Sequence, residues 1–112
     1  MGEGRPIEQR AKDFMEENRP VLDGGEPVAI NRVFTLGARI SVALSAEAVE
    51  AANETTAATK EVTRAVRNRS TPAATLNRLE KKRIKLAEIS TRKRQQFEEF
   101  DDFMKEVEAA RG

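Results

Sequence analysis

The chain contains no cysteine, histidine, tryptophan or tyrosine. Without cysteine it can form no disulfide, thiolate nucleophile or cysteine-based metal site, and without histidine it lacks the commonest general base and the commonest metal ligand. Most familiar catalytic arrangements therefore have no residues to form from. We expect a protein that is not an enzyme and that uses no cofactor, metal ion or small-molecule substrate.

Long apolar runs are also missing. The most apolar tract, residues 40–52, is interrupted by serine and glutamate, which predicts that no segment spans a bilayer. The first residues lack the basic and apolar blocks of a signal peptide. We therefore expect no membrane partner and synthesis in a cytoplasm.

Charged residues and helix formers are abundant instead. Charged residues make up 35% of the 112 positions and hydrophobic residues 38%, so any core must be thin and elongated. The second half is dominated by Ala, Glu, Arg, Lys, Leu and Gln, which lose least on entering a helix. This composition predicts an all-α protein with long helices.

Proline and glycine predict the helix boundaries in the first part of the chain. Pro6 suits the first turn of a helix, and apolar residues then recur at helical spacing until Pro20 stops the run. This pattern predicts a short helix over about 6–18. The Gly24-Gly25 pair that follows predicts a turn or flexible elbow.

A second, much longer helix is predicted after the elbow. Apolar residues follow one another at steps of three and four from Ile30 to Val66, which defines one face of a helix. The sequence is compatible with two starting positions for this helix. Either it begins at Pro27, or the β-branched residues from Val28 onward are extended and it begins near Thr35.

A corner between two helices is predicted near residues 67–72. Ser70 and Thr71 offer a hydroxyl N-cap, and Pro72 suits the first position of the next helix. The last helix, over about 72–110, repeats its apolar residues in heptads. Folding the chain at this corner gives a long antiparallel helical hairpin that resembles a coiled coil.

The predicted hairpin also predicts a register between its two helices, which the sizes and charges of opposed residues can test. With the corner at these residues, two positions lie opposite each other when their numbers sum to about 141. Large residues then meet small ones, as when Met104 faces Gly37, and Lys93 lies beside Glu47. The predicted seam of the hairpin consists of Ile40, Leu44, Val62, Leu76, Leu79, Leu86, Phe97, Phe100, Met104 and Val107.

In this register Leu76 is expected to contact Ala65 and Val66. The short first helix is expected to pack near the open end of the hairpin and to form a local three-helix bundle there. The predicted division of the chain is therefore residues 1–26, with the short helix and the elbow, and residues 27–112, with the hairpin.

Charge is distributed unevenly along the chain. Between residues 60 and 96, twelve Lys or Arg against three Glu give a net charge of +9, whereas residues 1–59 and 97–112 each carry −4. A solvated surface with intrahelical ion pairs would account for the basic stretch. The functional alternatives are binding to the phosphates of a nucleic acid and docking on an acidic protein. The candidate residues, which we call the basic corner, are Arg64, Arg67, Arg69, Arg78, Lys81, Lys82, Arg83 and Lys85.

More apolar residues are present than one seam can bury. Val42, Val49, Ile84, Ile89 and Phe103 lie off the seam, and the first helix is expected to cover only part of them. The remaining apolar surface favours self-association or a partner groove.

Two functions compete on these grounds. The preferred hypothesis is a structural or adaptor subunit that assembles through the hairpin with protein partners or with copies of itself, as a virion component, connector or scaffold would. The alternative is a nucleic-acid-binding protein that uses the basic corner. The residues alone do not identify the partner.

Overall fold

The computed structural model describes residues 6–112, and this range has an all-α fold. It forms three helices and no strand: α1 (Ile7–Gly24), α2 (Pro27–Arg67) and α3 (Ala73–Arg111). α2 and α3 run antiparallel and make a helical hairpin, and α1 packs against residues of both helices, including Leu44 and Phe100. The predicted fold class is therefore confirmed.

α1 is longer than the sequence pattern predicted, because Pro20 lies inside the helix instead of ending it. A proline in a helix removes one backbone hydrogen bond and crowds the preceding turn. Beyond it, Val21 and Leu22 pack against a core cluster, and this burial offsets the cost of the proline. The helix ends at Gly24, and Gly25 has φ of 69°, a left-handed conformation that glycine adopts without strain.

The elbow and the corner lie where the sequence placed them. α2 begins at Pro27, the earlier of its two predicted starts. After α2, the Ser70 N–H donates to the Asn68 side chain over 3.1 Å, and the Thr71 N–H donates to the Asn68 carbonyl over 3.0 Å. α3 starts at Ala73, one residue later than expected, with the Pro72 carbonyl accepting the first helical hydrogen bonds.

The chain separates into two compact units. Within the described range, unit 1 contains residues 6–46 and 95–112, and unit 2 contains residues 47–94. α1 ends at Gly24 and α2 begins at Pro27; the predicted division of the chain into residues 1–26 and 27–112 stays a prediction.

Unit 1 holds two adjoining clusters of buried residues. Ala11, Leu44 and Phe100 form one, and Ile30, Val33, Phe103 and Val107 form the other. Three aromatic rings connect them, because Phe14 lies 6.0 Å from Phe100 and 6.3 Å from Phe103 between ring centroids. Residues from α1, α2 and α3 meet in these clusters, so unit 1 is a three-helix bundle.

Unit 2 is a two-helix structure with a thin core. Its fully buried hydrophobic side chains are Ala51 and Ala58, both on α2. Large residues of α3 such as Leu79 and Leu86 remain partly exposed, because a pair of helices shields each side chain from one direction only.

Side-chain contacts within each unit follow the predicted register of the hairpin. In unit 1, a Cβ on Gly37 would collide with the side chain of Met104. In unit 2, the Lys93 ammonium lies 3.0 Å from the Glu47 carboxylate. Of the two residues predicted to lie opposite Leu76, Ala65 is half-buried, whereas Val66 is 63% exposed and is not part of the inner face of α2.

By length and composition α2 is able to cross a membrane, contrary to the expectation drawn from the interruptions in residues 40–52. The criterion averages hydropathy over a window, so a few polar residues do not disqualify a long helix. The same helix supplies Ile30, Val33 and Leu44 to the clusters of unit 1.

Candidate interaction surfaces

The basic corner surrounds the turn that joins α2 to α3 in unit 2. Seven of its eight side chains are exposed, and Arg83 is partly buried. The Lys82 ammonium lies 3.9 Å from the Glu61 carboxylate, a distance typical of a loose, solvated ion pair. The structure therefore places the predicted cations on the surface of one unit.

Arg83 is held by Glu80, one turn before it on α3. Its Nε donates to both carboxylate oxygens of Glu80 over 3.2 Å, and its Nη2 also donates to Oε1. This hydrogen bonding lowers the pKa of Glu80 and raises the pKa of Arg83. Arg83 is thus engaged within its own helix and is the member of the basic corner least able to contact a partner.

The other six cations of the basic corner form no ion pair with any residue in the range 6–112. Arg64 and Arg67 also border a shallow depression of about 320 Å³, together with Thr59, Lys60 and Thr63. The depression lies on one face of α2 and has three cations on its rim. An anionic group would be attracted there without displacing an existing carboxylate.

The ten predicted seam residues lie on the inner faces of the helices. In unit 1, Leu44, Phe100 and Val107 are buried, and Ile40, Phe97 and Met104 are partly buried. The remaining four belong to unit 2 and are all partly buried: Val62, Leu76, Leu79 and Leu86.

Of the apolar residues predicted to lie off the seam, one becomes part of the core. Phe103 is 2% exposed because α1 covers it through Phe14, and the Arg19 guanidinium lies 5.4 Å from its ring centroid. Ile89 is partly buried. The exposed members are Val42, Val49 and Ile84, and three more exposed residues, which were not predicted to lie off the seam, are Val28, Leu36 and Val66.

Two contacts of arginine with aromatic rings also escaped prediction. Besides Arg19 on Phe103, the guanidinium of Arg111 lies 4.2 Å from the ring centroid of Phe34. Helical spacing predicts neighbours on the same helix, whereas these contacts join different helices. The only available signal was the presence of Arg near the end of a helix that was expected to return toward Phe34.

Residues 6–112 contain no group of three or more acidic side chains that could hold a metal ion. Acidic residues of α3 such as Asp101 are engaged locally, since the Lys105 ammonium lies 3.4 Å from its carboxylate.

No protein-family model matches the chain, and no significant similarity to a curated protein or a solved structure was found. The function of the protein is therefore inferred from the surfaces described above.

Proposed function

We propose that the protein is a non-enzymatic structural or adaptor subunit that assembles through its helical hairpin with copies of itself or with other proteins. The observation that carries this proposal is exposed apolar surface on the long helices. In unit 1, Val28 is 76% exposed and Val42 is 70% exposed; in unit 2, Val49 is 57% exposed.

Isolated apolar residues on a surface need no explanation, but these are concentrated on one helix. Within the range 6–112, five of the six large exposed hydrophobic residues belong to α2, and the sixth, Ile84, belongs to α3. In unit 1, Val28 and Leu36 border a cavity of about 420 Å³ at the contact of α1 with α2. Covering such residues would remove apolar area from water and stabilise an assembly.

The setting of such an assembly stays a prediction. A virion component, a connector or a scaffold would each use a small helical hairpin as a building element. The protein's fold is compatible with all three.

The test is the mass of the purified protein in solution as a function of concentration. Sedimentation velocity should show a mass that rises with concentration and persists at high salt, because apolar association is not screened by ions. A monomer at every concentration and every salt concentration would contradict the proposal.

A nucleic-acid-binding function is the second candidate, favoured by the six cations of the basic corner that lack an ion pair. No aromatic residue belongs to this surface, so its contacts would be to phosphates, and binding should be weak, independent of sequence and steeply dependent on salt.

Charge reversal separates the two candidates. The variant with Arg78→Glu, Lys81→Glu, Lys82→Glu and Lys85→Glu should lose retention on DNA or RNA if the basic corner binds phosphates. If this corner docks on an acidic protein surface, the same variant should fail to assemble while remaining helical by circular dichroism. Normal assembly together with unchanged nucleic-acid retention would mean that the charge is a solvated surface.

A further inference from the structure

Six residues of α2 in unit 2 lie at coiled-coil spacing on a face that points away from its core. The spacing alternates three and four residues, as in the a and d positions of a heptad. All six are exposed, whereas the buried residues Ala51 and Ala58 occupy a different face of the helix. We call this set the outer stripe: Val49, Ala52, Thr56, Thr59, Thr63 and Val66.

The outer stripe carries no charge, although its surroundings are highly charged. The same stretch of α2 holds seven charged residues, from Glu47 to Arg67, and every one of them lies at another heptad position. An exposed helix face normally collects the charged residues. A charge-free heptad pattern on an exposed face is instead typical of a helix that packs against a second helix.

The threonines of the outer stripe have their hydroxyl groups engaged. Thr56 donates to the Ala52 carbonyl over 3.1 Å, Thr59 to the Thr55 carbonyl over 2.9 Å, and Thr63 to the Thr59 carbonyl over 3.0 Å. Burying a hydroxyl whose donor is unpaired costs free energy, but these donors are already paired within the helix. Another helix could therefore cover the stripe without leaving a hydroxyl donor unsatisfied.

The order of residues along the stripe is self-complementary. We propose that the outer stripe docks against the outer stripe of a second copy in antiparallel orientation, an inference that rests on the assembly function proposed above. Three kinds of layer form when the opposed residue numbers sum to about 115. They are Val49 with Val66, Ala52 with Thr63, and Thr56 with Thr59, and each occurs twice because the interface is two-fold symmetric.

Charge selects this occupant and this direction. Residues 47–56 carry three Glu and no Lys or Arg, whereas residues 57–67 carry three Lys or Arg and one Glu. In the antiparallel pair the acidic half of this stretch in each copy lies beside the basic half of the other, so unlike charges approach each other. A parallel pair would bring the two basic halves together and the two acidic halves together, which is unfavourable.

The absence of cysteine from the chain makes this arrangement testable by disulfide formation. A Val49→Cys variant and a Val66→Cys variant, one of them labelled with ¹⁵N, are oxidised separately and as a mixture, and the linked species are weighed by mass spectrometry. The antiparallel pair predicts a mixed dimer as the main product, several-fold above either variant alone.

The matched control uses Glu54→Cys with Glu61→Cys. These positions have the same sum of residue numbers and are exposed, but they lie on another face of α2. They should give only background linkage. Linkage of Val49→Cys to itself as the main product would overturn the antiparallel arrangement, and linkage at the control level would overturn the stripe as an interface.

Sedimentation of the unmodified protein keeps the two proposals distinguishable. If the chain associates but cysteines in the outer stripe link no better than the control, the stripe proposal fails and the assembly function stands. If the unmodified chain stays monomeric at every concentration, the assembly function itself fails.

Discussion

At the scale of the residue, Phe100 is a large and completely enclosed side chain of unit 1. It is 0% exposed and lies 6.0 Å from both Phe14 and Phe103, measured between ring centroids. Replacing it by alanine removes most of a buried ring and leaves a cavity that neighbours on three helices would have to fill.

Phe100→Ala should therefore lower the free energy of unfolding by about 3–5 kcal/mol, as for other buried aromatic truncations. The measurement is urea unfolding followed by circular dichroism. Two valines provide the control, because Val107 is 0% exposed and Val42 is 70% exposed. Val107→Ala should cost about 2 kcal/mol, whereas Val42→Ala should cost less than about 0.5 kcal/mol. Equal effects of the two valine variants would contradict the observed burial.

At the scale of the element, Pro20 is the residue least suited to its position in α1. It has no N–H to donate to the Glu16 carbonyl, and it is exposed, so little packing would be lost on its removal. Pro20→Ala should raise the free energy of unfolding by about 1–3 kcal/mol, reduced somewhat because the unfolded chain gains freedom.

Thermal unfolding measures this change, and Arg19→Ala is the contrasting variant. Arg19 contacts the ring of Phe103 and lies 3.7 Å from the Glu106 carboxylate, so its removal should destabilise the same segment slightly. A Pro20→Ala variant with a lower melting temperature than the natural chain would show that the proline is needed for the path of α1.

The pairing of α2 with α3 in unit 1 is tested by Gly37 and Met104. A Cβ on Gly37 would collide with the end of the Met104 side chain and lie 3.3 Å from Phe14. Alanine has a helix propensity about 1 kcal/mol better than glycine, and this gain is offset by crowding wherever Met104 is present.

The effect of Gly37→Ala on the free energy of unfolding should therefore be more stabilising, by about 1 kcal/mol or more, in a Met104→Ala background than in the natural chain. A double-mutant cycle of unfolding free energies gives this coupling directly. Additive effects of the two substitutions would mean that the residues do not touch in solution and that the register is different.

At the scale of the whole molecule, the two units differ in how much apolar surface they bury. Among the described residues, unit 1 has seven buried hydrophobic residues, including two phenylalanines, whereas the buried hydrophobic residues of unit 2 are two alanines. Local stability follows such differences in buried contacts. Backbone amides of unit 2 should therefore exchange with deuterium faster than helical amides of unit 1.

Hydrogen exchange followed by mass spectrometry of peptides measures this difference. At concentrations where the protein associates, protection of residues 49–66 should increase if the outer stripe is covered, while the turn at Asn68 stays unprotected because it lies outside the stripe. Uniform protection across both units in dilute solution would contradict the expectation of a thin core in unit 2.

The sequence by itself determined the three helices, the corner and the register between α2 and α3. Each follows from local features of the sequence: Gly25 predicts the elbow, Pro72 predicts the corner, and the spacing of apolar residues predicts the helix faces. The position of the turn fixes the register of an antiparallel pair of helices. The contact between Lys93 and Glu47 therefore followed from the predicted position of the corner.

Only the tertiary structure decided where α1 ends, which apolar residues stay exposed and how the cations are paired. The helix continues past Pro20 because residues beyond it bury apolar surface against other helices. The local effect of proline on a helix does not include the free energy that this tertiary burial contributes. Phe103 is buried and Val66 exposed for the same reason, since burial depends on which neighbours arrive from distant parts of the chain. The hydrogen bonds that the threonine hydroxyls of the outer stripe donate likewise depend on the helical conformation of α2, because they join side chains to backbone carbonyls one turn away.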